Sequence, residues 1–162
     1  MLGTGEQLQR ALQLAYSYLN RRDRTIDEVR RHLGHHRTDS QTVDVAIELL
    51  VEQNLLDDTR YARLFSEDKR ELEQWGADRI RRGLLERGID RELVDDVLTE
   101  VAPDDELARA ICLLRRRFPA PPRERRERDR ALGMLLRKGY DSELALDALA
   151  AYSRDASAAG LG

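Results

Sequence analysis

Apolar residues recur along this chain at spacings of three and four, the pattern of helices that bury one face. Over residues 6–20 they are Leu8, Leu12, Ala15, Tyr16 and Leu19. Thr25-Ile-Asp-Glu28 then has the form of a capping box, in which the hydroxyl and the carboxylate satisfy free amides. It opens a short helix with Ile26, Val29 and Leu33 inward, and Gly34 is its expected stop. Beyond a polar loop, Asp39 or Ser40 starts a third helix carrying Val43, Ala46, Ile47 and Leu50. The pattern then returns. Helices are expected over Thr59–Glu73, Ala77–Arg87 and Arg91–Ala102, with Gly88 ending the second of these and Pro103 the third. A further helix carries Leu107, Ala110, Ile111 and Leu114 as far as Phe118, where PAPP interrupts it. RERRERDRALGMLLRKG and DSELALDALAAY form the last two, and the tail SRDASAAGLG reads as frayed.

The recurrence holds residue by residue. LERGIDRELVDDVL (85–98) and LRKGYDSELALDAL (136–149) align without gaps at an offset of 51 and agree at seven of fourteen positions. A period near 50 with three helices per unit predicts an all-α protein of tandem three-helix modules. The expected modules are residues 1–58, 59–105 and 106–153, followed by a flexible tail over 154–162. Gly88 and Gly139 supply left-handed helix ends, while Asp90 and Asp141 cap the helices that follow.

One junction invites a chemical reading. LLDDTRYARLF (55–65) places Asp57 and Asp58 side by side, a pairing that can hold a metal or start a helix. The module boundary falls there, so Asp58 is expected to cap the fourth helix through the amide of Arg60 or Tyr61. Tyr61, Leu64, Phe65 and Leu72 would form that helix's buried stripe.

Composition narrows the function. Of 162 residues, 36% are charged and 41% hydrophobic, enough apolar material for burial. No window approaches 18 uncharged apolar residues, and the N-terminus lacks the form of a signal peptide. Cys112 is the single cysteine, within an apolar run where burial is expected, so a reducing cytoplasmic setting fits. His32, His35 and His36 have no cysteine beside them to complete a closed metal site. No phosphate-cradling loop or nucleophile–base set is present, so neither an enzyme nor a cofactor is expected.

Charge supplies the remaining signal. The net charge is −3, yet residues 109–138 hold eleven Lys or Arg against three acids. Asp39 to Asp58 contains six acids and no base. The binding candidates are Arg21, Arg22 and Arg24 in an early loop, then Arg79, Arg81, Arg82 and Arg87 on the fifth helix. Arg115, Arg116 and Arg117 follow, then Arg123, Arg125, Arg126, Arg128 and Arg130, and finally Arg137 and Lys138. Glu124, Glu127 and Asp129 lie among them, so intrahelical salt bridges are expected to occupy part of this run. Phosphate contacts from such a surface would be salt-dependent and weakly sequence-selective.

The ordered series LLDDTRYARLF, Trp75-Gly76-Ala77 and DRIRRGLLERGI (78–89) resembles the RecX family, regulators of the RecA recombinase. Upstream, ALQLAYSYLNRRDRTIDEVRRHLG resembles the family's opening pattern, and the likeness runs from about residue 10 to 152. The resemblance implies three tandem repeats in an elongated, curved array of either hand. It also implies a monomer that binds the RecA–single-stranded DNA filament, with possible direct contact to single- or double-stranded DNA and none to membranes. Its expected effect is to suppress ATP hydrolysis, strand exchange and RecA-stimulated LexA cleavage. A helix-turn-helix-like DNA-binding regulator and a helical scaffold without nucleic acid are the alternatives; the acidic third helices argue against the first.

Overall fold

Several helices in this chain begin where a carboxylate or a hydroxyl accepts from the free amides of a first turn, and one begins on a proline, which lacks that amide. The computed structural model describes residues 2–160, among which there are nine α-helices and no strand. They are α1 (Thr4–Leu19), α2 (Ile26–His35), α3 (Ser40–Glu52), α4 (Asp58–Leu72), α5 (Ala77–Glu86), α6 (Arg91–Thr99), α7 (Pro103–Arg117), α8 (Arg125–Lys138) and α9 (Ser142–Ala158). Asp39 accepts from the Thr42 amide at 2.9 Å, and Asp141 accepts from the Leu144 amide at 2.8 Å. The Thr25 hydroxyl accepts from the Glu28 amide at 3.1 Å, one half of the expected capping box. Glu28 turns instead to Arg22 and Arg24, at 3.3 and 3.8 Å.

Several helices end in the left-handed region. Gly88 (φ 77°) and Gly139 (φ 99°) do so as expected, but Arg37, Asn54 and Gln74 adopt φ near 60° at the ends of α2, α3 and α4. Gly34 therefore does not stop α2. It lies exposed inside the helix, and the chain turns at Arg37, where the Thr38 amide donates back to the Leu33 carbonyl at 3.2 Å.

The chain divides into two compact units. The first comprises residues 1–64 and 84–94, and the second residues 65–83 and 95–162, so α4, α5 and α6 each run from one unit into the other. In the first unit Ala11 and Ala15 of α1, Val29 and Leu33 of α2, and Val43, Ala46, Ile47 and Leu50 of α3 form one core with Leu56. In the second, Ala110, Leu113 and Leu114 of α7 pack with Ala131 and Leu135 of α8, Tyr140, and Ala145, Ala148, Leu149 and Tyr152 of α9.

Three expectations fail here for identifiable reasons. Along α4 the buried positions are Ala62, Ser66 and Arg70, at helical spacing of four, whereas Leu64 and Leu72 are exposed. Tyr61 and Phe65 are half-buried. Tertiary packing has turned Ala62, Ser66 and Arg70 inward and left the two leucines facing solvent. Cys112 is exposed, because Leu113 and Leu114 rather than Cys112 face the core of the second unit. The expected tail does not begin at residue 154: α9 continues to Ala158, with Ala156 buried and Asp155 paired to Arg115 at 2.9 Å. Residues 161 and 162 lie outside the described residues.

Candidate functional site

The expected junction residues build one joint twice, once in each unit. In the first unit the joint forms at the start of α2. The Ile26 amide donates to Asp58 Oδ1 at 2.9 Å, and the Thr25 hydroxyl donates to the Arg87 carbonyl at 2.7 Å. Gly88 sits so close that a Cβ there would lie 2.3 Å from Asp27 side-chain atoms. In the second unit the same arrangement forms at the start of α5, fifty-one residues on. The Ala77 amide donates to Glu106 Oε1 at 2.6 Å. The Gly76 and Asp78 amides donate to the Lys138 and Gly139 carbonyls at 2.7 and 2.9 Å. A Cβ on Gly139 would lie 2.3 Å from the Arg79 Cβ.

Each joint thus delivers a distant carboxylate and a left-handed glycine turn to the exposed amides of a helix start. Burial raises the pKa of both Asp58 and Glu106, and the donated amides oppose that rise. Asp57, not Asp58, caps α4, accepting from the Arg60 amide at 3.0 Å. The expectation that Asp58 caps α4 is corrected: its carboxylate serves α2. Among the described residues no group of three or more His, Cys, Asp and Glu is placed to hold a metal ion.

The basic candidates fall into three settings. Arg21 and Arg22 are exposed near the start of α2, while Arg24 lies half-buried over the Tyr18 ring at 3.8 Å. Beyond Tyr18, His32 stacks at 3.9 Å between ring centres, and His36 meets His32 edge-on at 4.7 Å. Burial, then the charges of His36, Arg24, Arg21 and His35, hold the His32 pKa below its ordinary value. On α5, Arg79 lies over the Trp75 ring at 4.2 Å and donates to the Arg137 carbonyl at 3.3 Å. Lys69 approaches the Trp75 ring at 4.7 Å, and Lys138 donates to the Glu73 carbonyl at 2.8 Å. Arg81 pairs with Asp95, Arg82 is exposed and Arg87 is half-buried. Arg79, Lys138 and Arg81 are therefore partly engaged in structure.

The third setting differs. Every residue from Arg123 to Arg130 is exposed, and the expected salt bridges to Glu124, Glu127 and Asp129 do not form. Arg116 and Arg117 are likewise exposed, whereas Arg115 is paired with Asp155. Arg123, Arg125 and Arg128 border a recess together with Asp129, Leu132, Leu146 and Leu149. Lys69 and Arg70, not among the expected basic candidates, stand at the end of α4, Lys69 beside Trp75 and Arg70 buried. Their only signal was position, three and four residues beyond Ser66 on the face that turned out to be inward.

Fold and surface together define an all-helical tandem-repeat protein with a solvent-facing arginine surface. The family model described as RecX, second three-helix domain, matches residues 57–98. A "Regulatory protein RecX" of Trichlorobacter lovleyi is 35% identical over 134 residues, covering 80% of this chain and 87% of that protein. Its counterpart in Halorhodospira halophila is 36% identical over 142 residues, covering 87% of both. The chain belongs to the RecX family of regulatory proteins. Crystal structures agree in fold. RecX from Lactobacillus salivarius matches with a TM-score of 0.81 at 20% identity, over 91% of this chain and 97% of that one. A second structure, described as regulatory protein RecX, gives 0.72 at 27% identity over 87% and 70%. No helix among the described residues is long and apolar enough to cross a membrane.

Proposed function

We propose that this chain is a regulator of RecA that binds the RecA–single-stranded DNA filament and suppresses its ATPase, strand exchange and stimulation of LexA cleavage. The observation that carries this reading is similarity to regulatory RecX proteins over most of the chain. Exposed arginines of α7 and α8 without ion partners supply groups for phosphates or acidic protein surface. The three expected modules, 1–58, 59–105 and 106–153, would then each offer a modest contact. Several weak contacts on neighbouring filament subunits become effective together through multivalency. Bridging neighbours opposes the subunit motions on which ATP turnover depends. The protein acts as a monomer in the cytoplasm.

RecA ATPase on single-stranded DNA, titrated with the purified chain at two salt concentrations, tests this. Inhibition that weakens with added salt is expected from an electrostatic interface. An unchanged ATPase at stoichiometric excess would overturn it.

A further inference from the structure

Arg70 points to a second site, and it lies wholly within the second unit. The side chain is on the buried face of α4, in a residue only 8% exposed, and its Nε and Nη2 have no hydrogen-bond partner in the protein. A guanidinium does not lose its charge in a protein, so a buried one needs acceptors or an anion. Burial weighs most heavily against its charge; Glu106 opposes that and Arg109 adds to it. Yet Glu106 Oε1 already accepts from the Ala77 amide at 2.6 Å.

Arg70 borders a recess of about 120 Å³ together with Arg109, Arg116, Gln74, Cys112 and Tyr140. That volume is far above the roughly 10–15 Å³ that one water needs. Arg109 and Arg116 stand two turns apart on α7, both exposed, with Cys112 between them. Glu71 is the acidic residue of the lining, so three guanidiniums face one carboxylate. The Tyr140 hydroxyl donates to the Gln74 carbonyl at 3.3 Å, and burial first, then Glu106, pushes its pKa up to about 12. Tyr140 therefore stays a neutral wall.

We propose that this recess binds a single phosphate group, with Arg70 as its inner contact and Arg109 and Arg116 closing over it. A planar carboxylate suits one guanidinium fork, whereas a tetrahedral oxyanion presents oxygens to several forks arriving from two helices. The site needs neither RecA nor the regulatory reading above, and either can fail without the other. Its phosphate has two possible sources, a nucleic-acid backbone or a small free phosphate.

The single cysteine provides the readout, because Cys112 is exposed in the recess lining. Alkylation of Cys112 by neutral iodoacetamide is timed on the full chain with inorganic phosphate, with a thymidine oligonucleotide, and with sodium chloride at matched ionic strength. Phosphate or the oligonucleotide is expected to slow alkylation where chloride does not. Arg109→Gln and Arg116→Gln, at exposed positions, should each weaken protection by about tenfold, the effect of losing one charge-assisted hydrogen bond. Arg10→Gln on α1 should leave it intact. Protection at much lower concentration by the oligonucleotide assigns the phosphate to a nucleic-acid backbone; protection by inorganic phosphate alone assigns a free one. Absence of protection, protection equalled by chloride, or protection unchanged in both α7 variants overturns the site.

Discussion

Asp58 accepts a hydrogen bond from the Ile26 backbone amide at 2.9 Å, across thirty-two residues of sequence. Glu106 accepts one from the Ala77 amide at 2.6 Å, across twenty-nine. Ile26 and Ala77 are the first residues of α2 and α5 and stand fifty-one apart, so the helical repeat is also a repeat of its joints. Each carboxylate does at a distance what a local N-cap does within its own turn.

Asp58→Ala removes the acceptor and should destabilise the chain by about 0.5–2 kcal/mol, as capping losses do. Asp58→Asn keeps an oxygen for Ile26 and should cost less. Burial raises the Asp58 pKa above 3.8, so the folded chain holds this proton more tightly than the unfolded chain does. Its contribution is therefore greatest in acid and declines as pH rises through the folded value. Asp58→Asn should show no such decline at this site. Urea denaturation of the parent and both variants from about pH 3 to 7 measures the difference.

Gly139→Ala should be among the most damaging single substitutions. It combines a left-handed φ of 99° with a Cβ placed 2.3 Å from the Arg79 Cβ. The conformation alone costs about 1–2 kcal/mol, and the clash adds to it. Arg37→Gly should act in the opposite direction. Arg37 is exposed at φ 61° with a helix ending behind it, and glycine there should stabilise by up to about 1 kcal/mol. Thermal melts of the two variants should move to opposite sides of the parent.

Tyr152 donates to the Phe118 carbonyl at 2.6 Å, tying α9 to the end of α7. Tyr152→Phe keeps the ring in the core and should cost about 0.5–1.5 kcal/mol. Removing residues from 155 onward deletes Ala156 from the core and the Asp155–Arg115 pair, and should lower the melting temperature further. A truncated chain as stable as the parent would restore the reading of this segment as a tail.

Stability should also fall in mild acid through His32. Its folded pKa lies below the ordinary 6.5, with burial the leading cause, so the unfolded chain takes up this proton first. Stability is therefore lost as pH drops below about 6.5, until the folded imidazole protonates as well. His32→Gln should flatten that slope. An NMR titration of the His32 ring, stacked on Tyr18, follows the group directly.

Much of this architecture is legible in local sequence. Asp39 and Asp141 cap as their positions predict because capping needs only three residues of chain. Gly88 and Gly139 turn left-handed because little else tolerates that conformation so easily. Arg37 and Gln74 take it with no residue type to announce them, whereas Asn54 is of the type that, after glycine, adopts it most readily. The candidate surface divides in the same way. Exposed arginines on α8 follow from composition and periodicity, but whether Glu124, Glu127 and Asp129 neutralise them does not.

The nine helices among the described residues, their repeat and the family are readable in the sequence, since propensity and caps are local and a fifty-one-residue period shows in the order of residues alone. Only the tertiary structure decided that Asp57 caps α4 while Asp58 reaches Ile26, and that Arg70 turns inward as Leu64 and Leu72 face solvent. The reason is geometric. A helix offers several faces of comparable apolarity, and which one is buried depends on the elements that come to meet it.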